Sequence, residues 1–211
     1  MGDGNYDDNG IGYQYRDTNP TWSNSYLWPV VKEIVNKRSM EDKRVFELGC
    51  GNGATADMLQ SLGFDVVGVD PSETGIELGK KAFPGIELRC GSAYDNLSDI
   101  YGTFPLVVSL EVIEHCYYPR KVAQTLFNLL ESGGIGIIST PYHGYWKNLA
   151  LSITGKWDRH FTVLWDDGHI KFFSINTMHR LLAEVGFQKI NFLRIGRLPP
   201  FAKSLVAIVE K

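Results

Sequence analysis

Short apolar runs alternate with amphipathic segments along most of the chain. Such runs predict buried parallel strands, because a strand that is covered on both faces is apolar throughout. Five of them stand at 45–48, 66–69, 86–88, 106–110 and 135–139. Strands separated by helical segments at this spacing are typical of a doubly wound α/β sheet.

Proline and glycine mark the ends of the predicted helices. Proline is favoured at the first position of a helix and glycine just past its end. Accordingly, one helix is predicted to begin at Pro29, and another is predicted to end at Gly63. A third is predicted from Pro119 to Gly133, and the last one ends at Gly186.

The C-terminal part predicts an antiparallel pair of strands at one edge of the sheet. The runs at 187–195 and 204–209 are strand-like, and Gly-Arg-Leu-Pro-Pro between them predicts a turn. The expected fold is therefore a mostly parallel seven-stranded sheet with an antiparallel edge strand. We expect one domain over residues 1–211, with an N-terminal cap at 1–38 and an aromatic-rich insertion at 141–173.

Composition narrows the class of protein. The 211 residues suit one hydrophobic core, and 44% hydrophobic with 21% charged residues excludes a disordered chain. A net charge of −3 gives no reason to expect nucleic-acid binding. Neither a run long enough to span a membrane nor a secretory signal is present, so a cytoplasmic protein is expected. The three cysteines form no CxxC pair, and the oligomeric state stays open.

A glycine-rich loop, Glu47-Leu-Gly-Cys-Gly-Asn-Gly53, follows the first predicted strand. Glycine lets the backbone turn sharply and lets a ligand approach its amides, and the following helix N-terminus attracts an anion. Asp70 ends the second predicted strand, where such folds place the carboxylate that holds the two hydroxyls of a ribose. The loop and Asp70 predict a nucleoside cofactor.

Two cofactors fit this pattern. Gly49, Gly51 and Ala54 satisfy the permissive dinucleotide fingerprint, which leaves an NAD-dependent dehydrogenase open. Glu47 favours another ligand, because a carboxylate beside the loop repels a pyrophosphate and attracts an ammonium or a sulfonium group. S-adenosyl-L-methionine, an adenosine joined to an amino acid through a sulfonium, would find a partner for each of its parts.

These residues resemble the motifs of class I S-adenosylmethionine-dependent methyltransferases. Glu47 to Gly53 is similar to their ExGxGxG motif, and Val67-Gly-Val-Asp70 is similar to their acidic second motif. Cys90-Gly-Ser-Ala-Tyr94 stands where many relatives have Gly-Asp-Ala against the adenine. The resemblance implies S-adenosyl-L-homocysteine as product and ten cofactor-binding residues: Glu47, Gly49, Cys50, Gly51, Gly53, Asp70, Pro71, Ser92 (in place of the aspartate), Ala93 and Glu111.

Leu110-Glu-Val-Ile-Glu-His115 resembles the branch that includes the ubiquinone-biosynthesis O-methyltransferases. We expect Glu111, Glu114 and His115 at the carboxyl end of the central strand, where open α/β sheets bind ligands. His115 would accept a proton from a hydroxyl group, because its ordinary pKa is near the working pH. The alternative is that Glu114 and His115 cap the next segment and face solvent.

The resemblance also implies a divalent metal at these residues, so Mg²⁺ is a hypothesis. It is weakened by the preference of Mg²⁺ for oxygen ligands, and no residue is assigned as a metal ligand.

Aromatic residues and histidines crowd the insertion at 141–173. They predict a lid over a flat or apolar acceptor, a satellite core on the sheet edge, or both: Tyr142, His143, Tyr145, Trp146, Trp157, His160, Phe161, Trp165 and His169. His169 is a third candidate catalytic residue, beside Glu114 and His115. Tyr13, Tyr15 and Arg16 are candidates to fold over the methionine end of the cofactor.

The sequence therefore predicts a methyltransferase that acts on a small molecule, at an oxygen of a phenol- or quinol-like acceptor. One alternative is a methyltransferase of a sugar or polysaccharide precursor. Two others are a non-catalytic S-adenosylmethionine-binding protein and the dehydrogenase. Methylation of nucleic-acid bases is disfavoured, because Ser139-Thr-Pro-Tyr142 follows the fifth predicted strand and not the fourth, and no basic stripe is present.

Overall fold

The computed structural model describes residues 14–38, 40–161 and 163–211. A seven-stranded sheet with the order β3-β2-β1-β4-β5-β7-β6 forms the centre of this part of the chain. All neighbouring strands are parallel except β7, which pairs antiparallel with both β5 and β6. The strands are β1 Arg44–Leu48, β2 Asp65–Asp70, β3 Glu87–Cys90, β4 Phe104–Leu110, β5 Leu130–Pro141, β6 Lys189–Ile195 and β7 Ser204–Glu210.

Helices connect the strands and cover both faces of the sheet. They are α1 Asn24–Lys37, α2 Ala54–Ser61, α3 Glu73–Ala82, α4 Leu97–Tyr101, α5 Pro119–Leu129, α6 Tyr145–Ile153, α7 Trp157–Phe161 and α8 Ile175–Glu184, with 3₁₀ turns at Ile113–His115 and Pro199–Phe201. Within the described residues, none of these helices has the length and apolar character needed to cross a membrane.

The doubly wound sheet predicted from the pattern is confirmed. Each predicted strand is present, with its ends shifted by a few residues. The antiparallel pair closes one edge as expected, and the antiparallel strand itself is β7, which lies next to the outermost strand β6. Gly196 begins the predicted turn between them with a φ of +85°.

Two predicted helix boundaries are wrong. α1 begins at Asn24 and not at Pro29, because Asn24 and Leu27 are buried against the sheet and extend the helix toward its N-terminus. α5 ends at Leu129, and the predicted stop at Gly133 lies inside β5. There the register shifts, and Gly133, with a φ of +80°, donates to the carbonyl of Lys211 (2.8 Å).

Alternate residues of the central strands fill two hydrophobic cores, one on each face of the sheet. On β1, Phe46 belongs to the core beneath α5 and α8, whereas Val45 belongs to the core beneath α1, α2 and α3. β4 shows the same alternation, with Val107 on the first face and Val108 on the second. Both faces of the parallel strands are therefore covered, which explains their uninterrupted apolar sequences.

Leu129→Ala should destabilise the fold by about 2–5 kcal/mol, because Leu129 is fully buried at the end of α5 and its removal leaves a cavity. The exposed neighbour Asn128 provides the matched control, and Asn128→Ala should change stability by about 0.5 kcal/mol or less. Urea unfolding at equilibrium measures both values. Equal effects of the two substitutions would contradict the assignment of the α5 core.

Candidate active site

The topology opens a crevice at the carboxyl ends of β1 and β4. These strands are neighbours at the centre of the sheet, yet the chain leaves β1 toward β2 on one side and β4 toward β5 on the other. Ligands of open α/β sheets bind at such a switch point. The loops after the two strands are in close contact. A Cβ atom added at Gly49 would lie only 2.4 Å from Cγ2 of Val112.

The loop after β1 has a backbone that only glycine adopts readily. Gly49, Gly51 and Gly53 have φ angles of +83°, +53° and +82°. A Cβ on Gly51 would also lie 2.3 Å from the hydroxyl oxygen of Tyr15. The loop then leads directly into α2, for which Gly53 is the N-cap residue. The loop backbone is thus held tightly, because the amides of Gly49, Gly51 and Gly53 all donate within the protein.

Asp70 ends β2 beside this loop. Its Oδ2 accepts a hydrogen bond from the amide of Gly51 (2.9 Å), and its Oδ1 accepts one from the amide of Ser72 (2.8 Å). Burial raises the pKa of Asp70, while these two amides oppose the shift. A carboxylate has about four acceptor positions, so hydroxyl groups of a ribose would still find acceptors here. The neighbouring Pro71 is exposed.

Glu47 is buried at the end of β1, where its side chain is 2% exposed. Its Oε2 has no hydrogen-bond partner in the part of the chain that the structure describes. Burial raises the pKa of Glu47 well above its usual value, the charge of Asp70 raises it further, and the Thr55 hydroxyl lowers it. A cationic group placed against this oxygen would stabilise the ionised form.

Cys50 takes a packing role within the loop. Its Cβ and Sγ lie against Gly68, since a Cβ there would be 2.9 Å from each. Its amide donates to the carbonyl of Val69 (3.1 Å), and its own carbonyl accepts from Gly53 (2.9 Å). Because the polar backbone groups of Cys50 are engaged within the protein, the prediction that this residue binds the cofactor gains no support.

An aspartate missed in the sequence lies beside Ser92 and Ala93, just after β3. The amide of Ser92 donates to Oδ2 of Asp95 (2.7 Å), and its hydroxyl accepts from the amide of Tyr94 (3.1 Å). Asp95 thus holds the backbone of the segment after β3 and places a carboxylate three residues beyond Ser92.

Glu111 carries the strained backbone of the crevice. Among the described non-glycine residues it alone has a positive φ, 54°. Ser139 at the end of β5 holds it twice, since the Glu111 amide donates to Ser139 Oγ (3.0 Å) and that hydroxyl donates to Glu111 Oε1 (2.8 Å). Burial raises the pKa of Glu111 to about 7. Strain of this kind persists where the surroundings fix it and often marks a functional site.

Glu114, His115 and His169 come together beyond the end of β4. Their ligand atoms all lie within 4.8 Å of one another, and His169 Nε2 is 4.0 Å from Glu114 Oε1. The rings of His115 and His169 are 4.8 Å apart, and Trp165 packs against both. His169, distant in sequence, is therefore a neighbour of the adjacent candidate catalytic residues Glu114 and His115.

The insertion is fastened to this cluster by its backbone. The amides of Ile170 and Lys171 both donate to the Glu114 carbonyl (2.9 Å each), and His115 Nδ1 donates to the carbonyl of Asp167 (2.8 Å). Glu114 is fully buried and neither of its carboxyl oxygens has a hydrogen-bond partner in the described chain. The alternative in which Glu114 faces solvent is therefore wrong.

Burial sets the charge of this cluster. It lowers the pKa of His169 to about 4 and lowers that of His115, so that both rings are neutral at pH 7. Burial also raises the pKa of Glu114 well above its usual value, and the charge of Glu111 adds to this shift. Neutral imidazoles accept protons or bind metal ions, and a buried carboxyl without partners gains most from a nearby cation.

A cavity of about 490 Å³ lies next to the cluster. Glu111 reaches it from the end of β4, and His169 with the rest of the insertion, the start of α1 and the turn before β7 form its walls. The insertion contains the short helices α6 and α7 and is not a continuous loop. Tyr142 and Phe173 at its two ends form an isolated β-bridge and are buried in the core, whereas Phe161 and Phe172 line the cavity.

The N-terminal segment packs over the glycine loop. Asn52 Nδ2 donates to the carbonyls of Asp17 (2.9 Å) and Asn19 (3.1 Å), and the Tyr15 amide donates to Thr74 Oγ1 (3.2 Å). Tyr15 lies close to Gly51, and its contact with the methionine end of the cofactor stays a prediction. Tyr13 is outside the described residues. The role of Asn52 was not predicted from the sequence.

Comparison with known proteins decides the family. Residues 25–191 match a family described as a methyltransferase domain. The chain belongs to this methyltransferase family. The predicted resemblance is confirmed, and with it a methyltransferase domain of the S-adenosylmethionine-dependent class.

Curated relatives of this methyltransferase include ubiquinone biosynthesis O-methyltransferases. The protein of Azorhizobium caulinodans is 29% identical over 160 residues, which cover 72% of this chain and 61% of the relative. The protein of a Caulobacter strain is 35% identical over 119 residues, which cover 54% of this chain and 47% of the relative. The chain spans about half the length of the curated relatives it matches.

Solved structures share the fold at low sequence identity. A protein of Pyrococcus horikoshii has a TM-score of 0.69 at 19% identity, over 93% of this chain and 94% of its own. The magnesium protoporphyrin IX methyltransferase of Synechocystis, solved with bound S-adenosylhomocysteine, has a TM-score of 0.67 at 17% identity, over 88% of this chain and 81% of its own.

Asp70→Ala should weaken binding of S-adenosylhomocysteine by about 10- to 100-fold, because hydrogen bonds from ribose hydroxyls to a charged acceptor are lost. Isothermal titration calorimetry measures the affinity. Glu73→Gln, which removes an exposed carboxylate in the first turn of α3, is the control and should bind as the wild type does. Unchanged affinity in the Asp70 variant would contradict the ribose assignment.

Proposed function

We propose that this chain transfers a methyl group from S-adenosylmethionine to an oxygen of a phenol- or quinol-like small molecule. The observation that carries the proposal is the cluster of Glu114, His115 and His169 beside an aromatic-lined cavity that His169 and Glu111 reach. A neutral imidazole at the wall of such a cavity is placed to accept the proton of a hydroxyl group. The curated relatives named O-methyltransferases support transfer to oxygen.

The crevice fits the cofactor part by part. The unpartnered Oε2 of Glu47 suits the ammonium group of the methionine end, and the glycine loop admits a ligand close to its backbone. Asp70 suits the ribose, and Ser92, Ala93 and Asp95 stand where the adenine amine would find acceptors. When bound, S-adenosylmethionine supplies an electrophilic methyl group on a sulfonium.

Proton transfer falls to the histidines. The Nδ1 of His115 donates to the Asp167 carbonyl, so in the neutral ring Nε2 carries the lone pair that accepts a proton. His169, which lines the cavity, would accept the proton of the acceptor hydroxyl and so make that oxygen nucleophilic toward the methyl group, with S-adenosylhomocysteine as the leaving group. The rest of the rate enhancement comes from holding oxygen, carbon and sulfur in line. Closure of the cavity by the insertion excludes water from this step.

The same cluster fits a divalent metal ion. Glu114 offers two buried oxygens without partners, and two neutral imidazoles stand beside it. One carboxylate with two imidazoles suits Zn²⁺, Mn²⁺ or Fe²⁺ better than Mg²⁺, which prefers oxygen ligands. An ion held by Glu114, His115 and His169 would act as a Lewis acid and lower the pKa of a phenol, and it would then replace His169, whose ring nitrogen would be a ligand, as the group that activates the hydroxyl.

One assay distinguishes the alternative functions. The family match and the buried carboxyl of Glu47 favour methyl transfer over the dehydrogenase. The chain is incubated with S-adenosylmethionine and panels of catechols, quinols and neutral sugars, with EDTA or with added Mn²⁺ and Zn²⁺, and products are found by mass spectrometry. We expect methylated catechols or quinols. Methylated sugars alone would contradict the proposal, and no product from any panel would favour the non-catalytic alternative.

His169→Gln should lower kcat by about 10²- to 10⁴-fold, because the proton acceptor at the cavity wall is lost. The affinity for S-adenosylhomocysteine should stay unchanged, since His169 is not among the predicted cofactor-binding residues, which lie after β1, β2 and β3 and at Glu111 after β4. Steady-state kinetics and calorimetry on the same preparation measure both quantities. His179→Gln, on the exposed side of α8, is the matched control, and an equal loss of kcat there would contradict the role of His169.

A further inference from the structure

Basic side chains converge on the acceptor cavity. Lys147, Lys156, Arg197 and Lys203 line it, and Glu111 supplies its only carboxyl group among the described lining residues. This balance is opposite to that of the whole chain, whose net charge is −3. The cavity therefore concentrates positive charge that the rest of the surface lacks.

These four cations have no ionic partner in the described chain. No carboxylate of the described residues lies within 4.0 Å of any of them, whereas Arg38, Arg120 and Lys189 all form ion pairs at the surface. Lys147 Nζ donates only to the carbonyl of Tyr142 (2.7 Å), and Lys203 Nζ lies 3.5 Å from the ring centroid of Trp22. Glu111 is the only carboxyl group among the described lining residues that offsets these four positive charges.

The cations also repel one another. Burial lowers the pKa of Lys147 to about 8, and the charge of Arg197 contributes to that shift while Glu111 opposes it. Arg197 likewise contributes to the lowered pKa of Lys203, for which burial is the first cause. Like charges gathered along one cavity wall are stabilised by an anion placed between them.

We propose that the methyl acceptor carries an oxyanionic substituent, a carboxylate or a phosphate, which Lys147, Arg197 and Lys203 bind. The aromatic body of the acceptor packs against Trp22, Tyr26 and Phe172 on the cavity wall. The inference rests on the proposed function, because it assigns the same cavity to the acceptor. It adds the substrate class: an anionic aromatic compound in preference to a neutral one.

Matched ligands test the preference directly. Protocatechuate, a catechol carboxylate, is compared with its neutral amide and with the corresponding catechol phosphonate, by calorimetry on chain saturated with S-adenosylhomocysteine. We expect at least one anionic probe to bind about tenfold or more tightly than the amide. The anionic probe that binds more tightly shows whether the site prefers a carboxylate or a phosphate-like group. Equal affinities, or no binding of either anionic probe, would overturn the inference.

Substitutions of the cationic residues that line the cavity test which of them bind the anionic group. Arg197 is exposed in the turn before β7, so Arg197→Gln should preserve the fold. The same substitution should remove most of the preference for the anion. Arg194→Gln, an exposed arginine of β6 that does not line the cavity, should leave the preference unchanged. An anion preference that survives in Arg197→Gln, and also in Lys147→Gln, would overturn the inference.

Failure of the proposed function and failure of the anion preference give different results. Methyl transfer to protocatechuate and its amide is followed by mass spectrometry alongside binding. An anion preference in binding without any methylated product would contradict the proposed function alone. Equal binding and equal methylation of the two compounds would overturn the inference and leave the proposed function standing.

Discussion

Carboxyl groups buried where β1 and β4 end are the constraint on which the site depends. Glu47 and Glu114 are removed from water at the switch point of the sheet, Glu111 is half-buried beside the cavity, and burial raises the pKa of each. A buried carboxylate costs several kcal/mol unless a cation or hydrogen-bond donors compensate it. The fold supplies only part of this compensation, so the crevice is suited to a ligand that brings positive charge.

The charges of the two halves of the site are opposite. The acidic crevice of Glu47 and Asp70 lies toward the glycine loop, and the basic wall of Lys147 and Arg197 faces the cavity beneath the insertion. Glu111 stands between them, held by Ser139 in a left-handed backbone conformation. Under the proposed function, the cationic methyl donor would bind the acidic half of the site and the anionic acceptor would bind the basic half. Both would therefore be positioned before the reaction.

Local sequence predicted where the glycine loop and Asp70 lie, but it did not predict which residues line the cavity. Gly49 and Asp70 could be placed because each ends a strand of a parallel sheet, and parallel strands end at one edge. Glu114 and His169 meet only because the insertion folds back onto the Glu114 carbonyl, a long-range contact with no periodic signal. Arg197 could not be assigned either, since the turn before β7 reaches the cavity only through the sheet order.

Proton release on cofactor binding tests most directly whether the buried carboxyl group of Glu47 pairs with a cationic group of the ligand. If the raised pKa of Glu47 keeps its carboxyl protonated in the unliganded chain, pairing with an ammonium group should ionise it and release a proton. Calorimetric titration with S-adenosylhomocysteine in buffers of different ionisation enthalpy counts that proton. We expect release in the wild type and a clear reduction in Glu47→Gln. Equal proton release by both proteins would contradict the account.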